Sequence, residues 1–291
     1  MASKKHLDDL FTSKTESMIF GRNRTSCEPF GVYRKLAIAQ TTSPAIARVC
    51  QDGGVVTALL AFALEKGTVE GAMVTGTDPE KLYYPIPKLA TNFQDVLDAA
   101  GSKYTCSQSP LALVSEVRKQ MKARVAFVGA PCQIRALRHL QMVESQKFDF
   151  AEFSIGLMCS SCFRHELITE FVQKKLGINP RDILKMNIKQ RLMITTRAGV
   201  TEAAISEIEP YKQKGCGVCR DFSSELADIS VGGLGLIGWS FTIIRSERGD
   251  ELFSGAEKAG FLRTKTVSSE DKAYRLLVKV SRKKRECRDS A

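Results

Sequence analysis

The chain has 291 residues, 43% of them hydrophobic and 26% charged. That is enough for one large buried core or two small ones in an ordinary globular protein. It holds no run of about 18 apolar residues, so no membrane span is predicted. The start, "MASKKHLDDLFTSK", lacks the apolar segment of a secretory signal, which predicts a cytoplasmic chain. The net charge of +11 raises the question of nucleic acid. Part of the excess sits in the tail "SRKKRECRDS", the rest is scattered, and no basic stripe interleaves with aromatics, which argues against that partner. A basic surface suits anionic cofactors or acidic partner subunits.

Residues 1–35 read as a polar, aperiodic arm with a short helix near "HLDDLF". Compact structure is expected from "YRKLAIAQTT" onward. Asp52, Gly53 and Gly54 form a turn, after which Val55, Leu59, Leu60, Ala63 and Leu64 recur at helical spacing until Gly67 stops the helix. "VEGAMVTGT" predicts a strand and "FQDVLDAA" a short helix ending at Gly101. "SPLALVSEVRKQMK" predicts a helix capped by Ser109 with Pro110 in its first turn. The continuous apolar run "ARVAFVGAP" predicts a buried parallel strand, and "PCQIRALRHLQ" turns at once into a helix. "FSIGLMCSSCF" reads as another buried strand ending in a cysteine loop. "RHELITEFVQKKLG" predicts an amphipathic helix stopped by Gly177. Residues 183–211 alternate as an antiparallel β patch does, and "SFTIIRSERGDELFSGAEKAGFL" reads as strand, turn and helix. The expected fold is α/β (mixed α+β), with a mainly parallel or mixed sheet flanked by helices. An arm (1–35), one interlocked body (36–265) and a basic C-terminal helix or tail (266–291) are the expected parts.

Nine cysteines are many for a cytoplasmic chain, where structural disulfides are rare. Cys132 and Cys159 follow buried strands, where α/β folds build their sites. With Cys216 and Cys219 of "KGCGVCRDF" they give four thiolates from three segments, enough for a [4Fe–4S] cluster. A zinc site would instead use the two tight pairs Cys159–Cys162 and Cys216–Cys219. A redox dithiol at Cys216 and Cys219 is a third alternative, although a charged stretch rather than a strand precedes it. Cys27, Cys50, Cys106 and Cys287 have no partner at ligand spacing and read as structural or exposed.

The run "SVGGLGLIGWS" has four glycines, which let backbone N–H groups approach a phosphate. In "AGSKYT", Lys103 offers a charge, Ser102 a hydroxyl and Tyr104 a ring. The usual Walker and dinucleotide fingerprints are absent. His6, His139 and His165 suggest no catalyst, and no Ser-His-Asp or paired-carboxylate arrangement is evident. That pattern favours chemistry carried by a cofactor.

The segments "CQDGGVVTALLAFALEKGTVEGAMV", "AAGSKYT", "VAFVGAPCQIRALRHLQ", "IGLMCSSCF", "KGCGVCRDFSSELADISVGGLG" and "GWSFTIIRSERGDELF" occur in this order. Over roughly residues 35–265 the chain resembles the β-subunit family of coenzyme F420-reducing hydrogenase and F420-dependent formate dehydrogenase. The resemblance implies an oxidoreductase subunit of a methanogenic archaeal complex that binds FAD and one [4Fe–4S] cluster. It implies hydride exchange between F420 and the flavin N5, and single electrons passed to or from partner subunits carrying further iron–sulfur clusters. The cluster ligands would be Cys132, Cys159, Cys216 and Cys219. The flavin site would fall on Gln51, Asp52, Gly53 and Gly54; on Gly101, Ser102, Lys103 and Tyr104; on Pro131 and Gln133; and on Asp228, Gly232, Gly233, Trp239 and Ser240. Several features depart from the family pattern: Cys162 is an extra cysteine, the loop before Trp239 is short, and ferredoxin-like cysteine sets and a nickel site are missing. A ferredoxin-dependent flavin and iron–sulfur reductase on the same fold, and a zinc-stabilised basic binding module, are the competing expectations.

Overall fold

The computed structural model describes residues 4–81, 83–105 and 124–286. Its centre is an eight-stranded sheet in the order β11-β1-β10-β9-β5-β4-β2-β3. The strands are β1 (Lys35–Thr41), β2 (Gly71–Thr77), β3 (Pro85–Ala90), β4 (Val125–Gly129), β5 (Ala151–Leu157), β9 (Ile229–Gly232), β10 (Ser240–Ile244) and β11 (Leu262–Lys265). β2, β4, β5 and β9 pair in parallel, whereas β3, β10, β1 and β11 join antiparallel at the two flanks. The mixed sheet is the expected one. The antiparallel patch forms a separate three-stranded sheet of β6 (Ile183–Ile188), β7 (Arg191–Thr196) and β8 (Gly199–Ala204), inserted in the chain between β5 and β9.

Strand alternation decides the layers. Ala72, Val74 and Ala126 face one side with α3 (Val55–Glu65) and α6 (Glu247–Lys258), while Met73 and Phe127 face the other with α5 (Pro131–Val143). α3 is apolar nearly all round, and Leu59 and Leu60 are fully buried in the layer it shares with α6. Each such side chain contributes about 1.5–3 kcal/mol of transfer free energy. The shorter helices α2 (Pro44–Val49) and α4 (Phe93–Asp98) are capped by Ser43 and Asn92, whose side chains accept from Ile46 and Asp95 N–H. The predicted stops at Gly67 and Gly101 hold, both with positive φ. The helix expected over "SPLALVSEVRKQMK" lies outside the described residues. The amphipathic segment after the second cysteine loop forms a π-helical stretch, Leu167–Lys175, packed on the small sheet.

The described residues near both ends form helices. The first residues form the 17-residue helix α1 (Lys4–Phe20) rather than an aperiodic arm. It docks on α5, with Arg135 donating to Asp8 and Thr12 and with Phe11 against His139. Glu16 is buried and paired with Arg24. The basic end forms α7 (Lys272–Arg285), whose Ala273 and Leu277 pack with Phe30, Phe222, Phe241 and Ile243. No described helix is long and apolar enough to cross a membrane.

Candidate functional site

The parallel strands point their carboxyl ends to one edge, and β1 runs in the same direction as β9 through two antiparallel pairings. Four loops therefore meet there: residues 50–54, the turn into α5 at Cys132, the loop carrying Cys159 and Cys162, and the glycine run from Gly232. This edge is where the expected site residues gather.

Cys132 lies in the first turn of α5, placed by Pro131 at the helix start, and Gln133 Oε1 accepts from Ala130 N–H at 2.9 Å to close that turn. Cys159 follows β5, and its N–H donates to Phe222 O at 2.9 Å. Cys216 ends beside the same loop, where its sulfur accepts from Cys162 N–H at 3.3 Å. Cys219 Sγ donates to Asp221 O at 3.4 Å. Cys132, Cys159, Cys216 and Cys219 are free thiols. Burial pushes Cys159 up to about 12, and the charges of Cys216, Cys132 and Cys219 add to that. Burial and the sulfurs of Cys219 and Cys216 raise Cys132 in the same direction. Four thiols from three segments thus share one electrostatic environment, unfavourable to thiolates until a bound cation deprotonates them.

Cys162, which the two-pair zinc set needs, is disulfide-bonded. Among the described residues, no three Cys, His, Asp or Glu stand close enough to hold one metal ion. A cubane cluster differs from a single tetrahedral ion because each of its thiolates takes a different iron, which spaces the sulfurs apart. Cys132, Cys159, Cys216 and Cys219 are free, and their charges act on one another. Of the remaining cysteines, Cys27 is exposed and Cys50 is buried with its thiol on Asp52 O at 3.0 Å, whereas Cys106 and Cys287 lie outside the described residues.

Gly53, Gly232 and Gly233 are packed without room for a side chain, whereas Gly235 is open. A Cβ on Gly53 would stand 2.5 Å from Ser240 N and 2.6 Å from Ala39 O, and Gly53 N–H donates to Ser240 Oγ at 3.0 Å. A Cβ on Gly233 would reach within 2.3 Å of the Asp52 carboxylate, and one on Gly232 within 2.5 Å of Met158 Sδ. Gly54, at φ +70°, turns the chain into α3. Ser102 N–H donates to Gln51 Oε1 at 3.4 Å, and Tyr104 O accepts from Phe163 N–H at 2.9 Å, one residue beyond Cys162. The loops expected to hold a flavin therefore adjoin the cysteine loops directly.

Other expected residues are placed differently. Asp228 precedes β9 and so stands at the opposite, amino edge of the sheet. Its buried carboxylate is taken up by Arg138, Ser154 and Ser246. Burial alone would raise its pKa, but the Arg138 charge and these hydrogen bonds hold it below the ordinary carboxylate range. Lys103 folds back on the end of α4, donating to Ala99 O at 2.5 Å and Ala100 O at 3.0 Å, and burial lowers it to about 8. Trp239 lies under Lys265 Nζ at 4.0 Å, with the Arg263 guanidinium at 5.4 Å.

The small sheet supplies residues that the sequence did not reveal. Lys185 Nζ donates to Gln51 O at 2.9 Å and Cys50 O at 3.2 Å, Gln51 Nε2 donates to Asn187 Oδ1, and Lys189 pairs with Asp52 at 3.8 Å. Nothing in the alternation of "ILKMNIKQ" announces contact with a loop more than a hundred residues earlier.

Comparison with known proteins finds a matching family. The family described as coenzyme F420 hydrogenase/dehydrogenase, beta subunit, matches in two parts, its N-terminal part over residues 36–114 and its C-terminal part over residues 122–270. The coenzyme F420 hydrogenase subunit beta of Methanothermobacter thermautotrophicus is 35% identical over 261 residues, covering 88% of this chain and 92% of the relative. The coenzyme F420-dependent sulfite reductase of Methanocaldococcus jannaschii is 35% identical over 223 residues, 71% of this chain but 35% of that longer protein. A chain in the structure of the F420-reducing [NiFe] hydrogenase complex from Methanosarcina barkeri superposes with a TM-score of 0.84 at 31% identity, covering 89% of this chain and 91% of that one.

Proposed function

Because the chain belongs to the coenzyme F420 hydrogenase/dehydrogenase beta-subunit family, whose members are subunits of oxidoreductases, we propose that it is the F420-reactive flavin and iron–sulfur subunit of a larger redox complex. The observation that carries this reading is the meeting of Cys132, Cys159, Cys216 and Cys219 with the glycine-lined loops at one sheet edge. Bound there, FAD would supply hydride exchange with F420 at its N5, and a [4Fe–4S] cluster would carry electrons singly.

The chain's own residues bind and orient. Cys132, Cys159, Cys216 and Cys219 would hold the cluster. Gly53 and Gly233 keep the backbone of the flavin loops tightly packed, and Gln51 and Ser102 join two of those loops. Lys185 and Lys189 bring positive charge to the loop at 50–54, which suits a diphosphate. The net positive chain suits F420, whose phosphate and glutamate tail is anionic. The electron partner would be a hydrogenase, formate dehydrogenase or heterodisulfide-reductase type subunit with its own iron–sulfur clusters.

The test is a visible spectrum of anaerobically purified protein, before and after reduced F420. A flavin band over a broad cluster shoulder, bleached by reduced F420, is expected. The same spectrum bleached only by reduced ferredoxin would move the substrate, and a colourless zinc protein would end the reading.

A further inference from the structure

α7 buries a stripe of Ala273, Leu277, Ser281 and Lys284, spaced by four, four and three residues. The last member is a lysine where the pattern calls for an apolar residue. Lys284 is 9% exposed, and its ammonium donates to Ser160 O at 2.5 Å, the carbonyl next to Cys159. Its neighbour Arg285 is matched by Glu225 at 2.8 Å. Among the described residues, Lys284 has no carboxylate within ion-pair distance. A buried cation without a partner is strongly unfavourable, so a compensating anion is expected beside it.

The Ser160 contact sets it beside the loop that carries Cys159, a thiol that would become an anionic thiolate on ligating a cluster. The Lys284 charge acts on both Cys159 and Cys219, from opposite loops of the four-cysteine centre. A cluster held by four thiolates is a net anion, and each electron it accepts makes it more negative. A fixed cation at its edge therefore stabilises the reduced form more than the oxidised one.

We propose that Lys284 is a charge-compensating residue of the centre formed by Cys132, Cys159, Cys216 and Cys219, raising its reduction potential so that it accepts single electrons. The proposal rests on the reading of these cysteines as iron–sulfur ligands. With FAD and the cluster bound, each hydride from reduced F420 would bring two electrons to the flavin, and the centre would take them one at a time. Each electron would enter without a proton on the cluster, and no bond to Lys284 would form or break.

The experiment is an EPR-monitored redox titration of the full chain with dithionite and mediators, on wild type, Lys284→Gln and Lys284→Arg, with iron content measured on each. Lys284→Gln should disfavour reduction about tenfold, a midpoint lower by about 59 mV for a one-electron couple, and Lys284→Arg should stay near wild type. Loss of iron in Lys284→Gln with retention in Lys284→Arg would also support the charge requirement. An unchanged midpoint in a fully loaded Lys284→Gln protein, or loss of iron in both variants, would overturn the proposal and leave the cluster reading standing. Wild-type protein without iron or a cluster signal would overturn the cluster reading and this proposal with it.

Discussion

The backbone N–H of Cys162 donates to the sulfur of Cys216 at 3.3 Å, and Gln213 N–H returns to Cys162 O at 2.9 Å. These contacts clasp the loop after β5 to the Cys-Gly-Val-Cys loop, although the two are more than fifty residues apart. They place Cys216 at the centre, where its sulfur acts on Cys132 and Cys159 alike. Replacing Cys216 with Ala should therefore remove most of the iron and the broad visible shoulder while flavin is retained, because among the described residues that side chain contacts the cysteine loop and not the flavin loops. Iron assay and the visible spectrum check it. Unchanged iron would mean that Cys216 is not a ligand.

The two packed glycines should respond differently to a methyl group. On Gly53 it meets backbone, Ser240 N at 2.5 Å and Ala39 O at 2.6 Å, which can give way only by moving strands. On Gly233 it meets the Asp52 carboxylate, a side chain able to rotate. Gly53→Ala is expected to destabilise by about 1–3 kcal/mol, and Gly233→Ala by less. Gly233→Ala should still lower flavin occupancy, because it displaces Asp52 from Lys189. Thermal melting and bound-flavin measurements on the two proteins separate the effects.

The strands and the helices that the sequence announced are those whose pattern is local. β4 and β5 are short apolar runs, α3 repeats its apolar residues at helical spacing, and Cys132 and Cys159 follow their strands within three residues. The mixed sheet and the α/β class followed from them. Asp228 shows where local reading fails. It stands four residues from Gly232, but β9 begins just after Asp228 and ends at Gly232, so one lies at each edge of the sheet. Lys103, Lys185 and Lys284 show a second limit. Lys185 and Lys284 owe their roles to contacts set by tertiary packing, whereas Lys103 folds back on the turn just before it, and a lysine in an exposed helix and one buried beside a cysteine loop look the same in sequence. α1 was legible only as "HLDDLF" because its burial is specified by α5 and Arg24, not by its own apolar stripe.

The Arg138–Asp228 pair, at 2.8 Å and with both side chains under 10% exposed, ties α5 to the start of β9 and, through Ser246, to α6. Arg138→Leu leaves a buried carboxylate without its cation and should cost about 3–5 kcal/mol. The pair also fixes the sign of acid sensitivity. Asp228 is held below the ordinary carboxylate value of about 3.9, so its contribution is present above that pH and is lost as pH falls through its lower folded value. Glu28, lowered to about 2 by hydrogen bonds from Arg22, adds to the same loss between about pH 4 and pH 2. Urea midpoints measured from pH 7 to pH 2.5 should fall most steeply below pH 4, and Asp228→Asn should flatten that fall. An equally steep fall in Asp228→Asn would place the acid sensitivity elsewhere.

Lys189 and Lys103 were both within reach of a role in binding an anionic cofactor, and the structure gives them unlike surroundings. The Lys103 ammonium already satisfies three carbonyls at the end of α4, where a cation is favoured by the helix dipole. Lys189 is exposed and, among the described residues, pairs only with Asp52, at 3.8 Å, beside the loop where the flavin diphosphate would lie. An ammonium engaged by a single carboxylate can add a phosphate partner at little rearrangement, whereas one held by three carbonyls must first leave them. Lys189→Met is therefore expected to weaken FAD binding about tenfold, in line with about 1.4 kcal/mol lost from one charge contact, and to make the remaining affinity less dependent on salt. Lys103→Met should lower stability more than it lowers flavin affinity. Flavin fluorescence titrations at low and high salt, run beside thermal melts of the same variants, decide between them. If Lys103→Met loses flavin while Lys189→Met keeps it, the diphosphate lies against α4 and not against the small sheet.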